Sequence, residues 1–261
     1  MKKGLLKIAA LTAASVMAAM ALAGCGGSDK LTMGTNAAFP PFEYTTSAGL
    51  VGEFDGIDVA IAKQIADDMG TELEIADMDF DGLIAAVSTG KVDMVAAGMT
   101  ATDERRKSVD FSDTYYVASQ VMVVAADNTD ITKAEDLKND KKVGVVLGYT
   151  GDGIVTDDLG IAEDKITRAN RGIDIVQDVK NGKLDAVVID SATGIALAEK
   201  NGLKVVEDAE AFESEEYAIA VKKGNKELLE KINATLAEMK SNGTIENLAV
   251  EYDEKLAASN E

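Results

Sequence analysis

Val87-Ser88-Thr89-Gly90-Lys91-Val92-Asp93-Met94-Val95 returns 92 residues later as Val179-Lys180-Asn181-Gly182-Lys183-Leu184-Asp185-Ala186-Val187. Each copy reads as a helix end, a Gly stop, a Lys, and an Asp leading into a buried apolar strand. Two common helix–Gly–strand units could coincide by chance. The shared Val, Gly, Lys, Asp and Val at one constant offset favour a structural repeat instead. The strands leave at Ala97-Gly98-Met99-Thr100 and at Asp190-Ser191-Ala192-Thr193. Ligands of open α/β sheets gather outside the carboxyl ends of the strands, so two such units offer two half-sites facing one cleft.

The surrounding sequence keeps the same alternation. Lys30 to Thr35, Thr71 to Ala76, Val92 to Ala97 and Val121 to Ala126 read as strands. Ile57 to Met69 reads as an amphipathic helix with Ile57, Ile61, Ile65 and Met69 on one face and Gly70 as its stop, and Asp81 to Ser88 as a second helix. Lys142 to Leu147, Ile154 to Leu159, Ile173 to Val179 and Leu184 to Ile189 continue the pattern. Leu228, Leu229, Ile232, Leu236 and Met239 share a helix face that ends at Asn242-Gly243, and another helix runs from Thr244 to about Leu256. These last two have no counterpart in the first unit, so they are expected to return and complete it. The class is α/β.

Composition excludes much chemistry. The chain of 261 residues has no His, one Cys and a net charge of −20. Without His there is no Ser-His-Asp or Cys-His pair and no His-ligated zinc; with one Cys there is no internal disulfide. The charge disfavours nucleic acid. Neither a metal nor a cofactor is expected. Asp77-Met78-Asp79-Phe80-Asp81-Gly82 opens like a calcium loop, but its twelfth position is Ser88 rather than the bidentate Glu.

The first segment reads as an address. Lys2, Lys3 and Lys7 precede an apolar run from Ile8 to Ala23, too short for a bilayer span and suited to a secretory signal peptide. It ends Leu22-Ala23-Gly24-Cys25, which resembles the bacterial lipobox; the rival reading is an ordinary signal with an incidental Cys. Cleavage before Cys25 would leave 237 residues and take the charge from −20 to −23.

Candidate binding residues cluster at the strand exits. Asn36 to Tyr44 carries both prolines, which stiffen the loop around Phe39, and eight of the twelve aromatic residues lie between Phe39 and Tyr116. Phe39 and Phe80 are candidate walls of an apolar slot; Phe42, Phe54 and Phe111 read as core. Thr102 can cap a short helix whose Arg105 lies near the exit of the first repeat strand, where a guanidinium can grip a carboxylate bidentately. Val143 to Gly153 reads as a strand, a Gly-rich turn and a helix start, an anion site of N–H groups and the Thr150 hydroxyl. Asp190 could receive an ammonium. Two anion-binding elements and one carboxylate suit a zwitterion better than a phosphate.

In this order the motifs resemble a known family, the solute-binding proteins of polar amino acid ABC transporters (bacterial extracellular solute-binding proteins, family 3). They include Gly34 to Glu43, Gly56 to Lys63, Phe80 to Leu83, Gly90 to Asp93, Ala97 to Arg105, Val109 to Tyr116, Gly148 to Gly151 and Asp185 to Asp190. The resemblance implies a periplasmic-binding-protein-like fold of two α/β lobes joined by two crossover strands, with a ligand cleft between them. On this scheme 1–24 is the signal peptide, 25–30 a lipidated linker beginning at Cys25, 31–117 plus 214–261 the first lobe, and 118–213 the second. Arg105 would pair with the ligand carboxylate, helped by Thr100 and Thr150. Asp190 and the Gly98 carbonyl would take the ammonium, and Phe39 and Phe80 would sandwich the side chain. Asn36, Gln120 and Tyr149 are possible specificity residues; Asn36 favours a neutral polar ligand where relatives that bind basic amino acids often carry an acid. Tyr149 stands where the family usually has a small Ser or Thr. Expected partners are an amino acid, the permease subunits of an ABC transporter, and a membrane through the lipid anchor only, for a monomeric, extracytoplasmic protein. The alternatives are a ligand-binding sensor module, ordinarily fused to a membrane span and signalling domain, or a dehydratase-like enzyme on the same fold.

Overall fold

The computed structural model describes residues 30–258. The signal segment and Cys25 lie outside the described residues, and Lys30, expected to close the linker, already opens the first strand, Lys30–Thr35. That strand is parallel to Glu72–Asp77 on one side and to Met94–Val95 on the other. The sheet continues with Ala220–Lys222 and Val109–Phe111, both antiparallel pairings. A second five-stranded sheet runs Ile166–Ala169, Val143–Val146, Ala186–Asp190, Gln120–Val124, Lys204–Val206. Here too the first three strands are parallel and the fourth is antiparallel to its neighbours. The two sheets therefore share one plan, each with an inserted strand that arrives from the other half of the chain.

The repeat explains why. Gly90 and Gly182 both adopt a left-handed backbone that stops the helices Leu83–Thr89 and Gly172–Lys180. Asp93 and Asp185 follow at the strand entrances. The Asp93 carboxylate accepts from the Thr32 N–H at 2.8 Å while its own N–H donates to the Thr32 carbonyl. Asp185 does the same with Lys142, accepting at 2.7 Å and donating at 2.9 Å. Each Asp thus fixes the register of the third strand on the first, and a shorter or uncharged side chain leaves an N–H without its partner.

Two segments pass between the sheets, Tyr116–Ala118 and Glu215–Tyr217, and pair antiparallel with Glu215 opposite Ala118 and Tyr217 opposite Tyr116. Tyr217 is fully buried, stacked near Tyr116 with ring centres 5.8 Å apart and edge-on to Phe42 at 5.2 Å. The helix Ile57–Met69 matches its sequence reading and buries Ile57, Ile61 and Ile65. Helices Lys226–Ser241 and Thr244–Ala258 return to it, with Thr235 donating to Asp68 at 2.6 Å and Tyr252 to Asp55 at 2.6 Å. No helix among the described residues is long and apolar enough to cross a membrane.

Two readings change. Ile154–Asp158 prolongs the helical turn Thr150–Gly153, in line with the helix start read there. The strand that follows, Ile166–Ala169, has no counterpart in the sequence reading; it is an edge strand whose half-buried residues give little apolar signal. Phe54 is only partly buried, whereas Phe42 and Phe111 are core.

The paired aspartates yield a stability test. Asp93→Ala and Asp185→Ala should each lower the unfolding free energy by about 1 kcal/mol in urea titration, additively because they lie in separate sheets. No change in the transition midpoint for either variant would contradict the register role.

Candidate functional site

The strand exits of both sheets meet in one slot. Phe39, Phe80, Gly98, Thr100, Arg105, Thr150 and Asp190, joined by Ala97 and Tyr149, line one narrow, closed space. The other two expected specificity residues touch the same cluster: Asn36 contacts Tyr149, and Gln120 contacts Thr150. Residues read from distant stretches of sequence are thus neighbours.

Local structure sets each one. Thr102 caps the short helix Asp103–Arg106 by accepting from the Arg105 N–H at 3.2 Å, so the Arg105 side chain begins beside the strand exit. Its guanidinium lies over the Phe80 ring at 5.1 Å and donates to the carbonyls of Thr100 at 2.8 Å and Gly148 at 2.9 Å. Burial pulls Arg105 below its usual value, while Asp190 and Glu215 work to keep it charged. Gly98 has a left-handed backbone, and a Cβ there would come within 2.3 Å of the Phe39 ring; its N–H donates to Asp58 at 2.8 Å. Asp190 ends the strand Ala186–Asp190 and accepts a short hydrogen bond from the Tyr217 hydroxyl. Burial first, and the Glu215 carboxylate second, push Asp190 above the usual carboxylate range.

Glu215 is the residue that the sequence reading missed. It accepts from Thr100 Oγ1 at 2.6 Å, Thr150 Oγ1 at 2.8 Å and Gln120 Nε2 at 3.1 Å. The two threonine hydroxyls expected to face a ligand anion are therefore turned onto a carboxylate belonging to the protein. Glu215 also lies near enough to Asp190 to help raise its pKa. Glu215 sits in the run Glu213-Ser214-Glu215-Glu216-Tyr217, which looks like a solvated acidic surface. The available signal was alternation: Glu215 and Tyr217 are buried on one side of the crossover strand and Glu216 is exposed.

The aromatic slot also departs from expectation. Phe39 and Phe80 do face one space, but the Tyr149 ring fills it, edge-on to Phe39 at 5.3 Å and to Phe80 at 4.5 Å. The calcium-like loop serves another purpose: Asp77 pairs with Arg171 at 2.7 Å and Asp79 accepts from Asn170 at 3.0 Å, joining the two halves. Among the described residues no cluster of three or more His, Cys, Asp or Glu is arranged to hold a metal.

Behind Gly98 the wall is acidic and buried. Asp58 accepts from Gly98 and, at 2.7 Å, from the Tyr115 hydroxyl, and burial pushes it up to about 7. Glu43, fully buried, is driven well above its usual value by burial, then by Asp58 and Asp190. A wider opening of about 1150 Å³ adjoins the slot, lined by Glu104, Asp152, Asp157, Asp158, Glu210, Glu213 and Glu215 with only Arg105 and Arg168 opposing them.

Two α/β lobes on a shared plan, two crossover strands, and a charged slot built from both lobes define a bilobal ligand-binding protein. The chain belongs to the bacterial extracellular solute-binding proteins, family 3, whose profile it matches over residues 31–254. It is 39% identical over 259 residues to an arginine-binding extracellular protein of Bacillus subtilis, covering 95% of this chain and 96% of that one. Among solved structures it is similar to an ancestral arginine-binding protein bound to glutamine, with a TM-score of 0.77 and 43% identity over 85% of this chain and 97% of that one. An ancestral amino acid-binding protein described as a precursor of cyclohexadienyl dehydratase gives a TM-score of 0.78 and 37% identity, covering 85% and 95%.

The buried acids generate a pH test. Unfolded, Asp58 and Glu43 titrate near about 4; folded, both pKa values are raised, so the neutral acids favour the folded state. That contribution is complete below about 4; the Asp58 part is lost as pH rises through about 7, and the Glu43 part as pH rises through its own raised value. The thermal midpoint should fall between about pH 5 and about pH 8, and Asp58→Asn should flatten the decline. A midpoint that climbs over this interval would contradict the assignment.

Proposed function

We propose that this protein captures an amino acid between its lobes outside the cytoplasmic membrane and delivers it to an ABC importer, without chemical conversion. The observation that carries the reading is a single slot with a guanidinium from one lobe and a carboxylate from the other, Arg105 and Asp190. An α-amino acid presents the complementary pair of charges within one small fragment. Arg105 takes the carboxylate, since only two of its five donors are spent on backbone carbonyls. The backbone amides of Thr100 and Thr150 assist it, their hydroxyls being held by Glu215; Asp190 with the Gly98 carbonyl holds the ammonium, and Phe39 and Phe80 flank the side chain. Contact with both lobes is what lets a ligand bias closure.

The lobes divide as 31–117 with 214–261 and 118–213, in keeping with the two sheets and the paired crossovers. Cys25 is the lipidation site and the sole membrane attachment, and the molecule acts as a monomer. Binding rather than catalysis is supported by the engagement of the acids in the cleft: Glu215 is held by Thr100, Thr150 and Gln120, and Asp190 by Tyr217. A general acid or base needs a proton-exchanging partner on the substrate, and here donors of the protein itself hold both Glu215 oxygens and Asp190 Oδ1.

Calorimetric titration with amino acids tests the site. Arg105→Ala should weaken binding by about a hundredfold or more while the unfolding transition stays cooperative. Wild-type affinity in that variant would remove Arg105 from the carboxylate role.

A further inference from the structure

Tyr149 is held in an unusual place. The preceding Gly148 has a left-handed backbone, and a Cβ there would meet Asp81 of the other lobe at 3.2 Å. The turn therefore presses close to the first lobe, and Arg105 fastens it by donating to the Gly148 carbonyl at 2.9 Å. The next side chain is thereby aimed inward. The Tyr149 ring is 6% exposed, lies edge-on to both Phe39 and Phe80, and donates its hydroxyl to Asn36 Oδ1 at 3.3 Å. Asn36 is itself fully buried and fixed by donating to the Met78 carbonyl at 2.9 Å. Tyr149 thus makes the contacts an incoming side chain would make: two aromatic walls and a polar group at the far end.

We propose that Tyr149 is the specificity-determining residue of this cleft, an intramolecular occupant of the side-chain subsite between Phe39 and Phe80 that opposes amino acids with long side chains. The inference rests on the amino acid reading above and deepens it. A tethered group has a high effective concentration at its own site, and a ligand that needs the site binds only to the fraction of molecules in which that group has left. Glycine and serine, whose side chains do not reach Asn36, avoid this competition; arginine and glutamine do not.

The test is calorimetric titration of the wild-type protein, Tyr149→Ser and Tyr149→Phe with glycine, serine, glutamine and arginine. Tyr149→Ser should strengthen glutamine and arginine by about tenfold or more and leave glycine and serine within about threefold. Tyr149→Phe keeps the ring and loses only the Asn36 contact, so its preference should stay close to wild type. A Tyr149→Ser variant that loses long-chain affinity makes the tyrosine a wall that holds the ligand and overturns the proposal, as does an equal change in both classes. If none of these four, nor any of the other common amino acids titrated in the same way, binds wild type or variant, the amino acid reading falls, and the subsite assignment with it.

Discussion

The pairing of the two crossover strands is the constraint on which the rest depends. Tyr217 opposite Tyr116 fixes the register, and the period-two geometry of a strand then sends Glu215 and Tyr217 to the same side. One reaches Thr100, Thr150 and Gln120; the other reaches Asp190. A one-residue slip would turn Glu216 inward and leave Asp190 without its phenol. The crossover therefore does more than connect lobes, because it supplies the groups that saturate the cleft between them.

The electrostatics of that cleft follow from burial. Arg105 faces Asp190 and Glu215, so the slot carries an excess of negative charge, and the outer opening adds six further acids against Arg168. Burial charges a price for ionising Asp190, Asp58 and Glu43, and the elevated pKa values record it. A cation placed beside Asp190 would offset part of this.

Closure is reinforced outside the slot. Asp77 with Arg171, Asp79 with Asn170, and Asp81 against Gly148 place three alternate residues of one loop on the opposing lobe. Partly exposed ion pairs of this kind contribute little stability individually, and their effect is to fix where the lobes meet. Tyr149 enters the slot from that same meeting line.

The sequence by itself determined the α/β class, the repeated helix–Gly–Asp–strand unit, the helix Ile57–Met69 and the capped turn that carries Arg105. These are local signals: periodicity, caps, and short motifs whose chemistry is visible along the chain. Ile166–Ala169 escaped because an edge strand needs little apolar surface, and Glu215 because an acid within an acidic run looks solvated until a partner strand is known. Only the tertiary structure decided that Thr100 and Thr150 turn to Glu215, that the calcium-like loop joins the lobes, and that Tyr149 fills the space between Phe39 and Phe80. Each of these depends on groups dozens of residues apart being brought within hydrogen-bond or van der Waals reach, and such distances are set by packing rather than by any one stretch of chain.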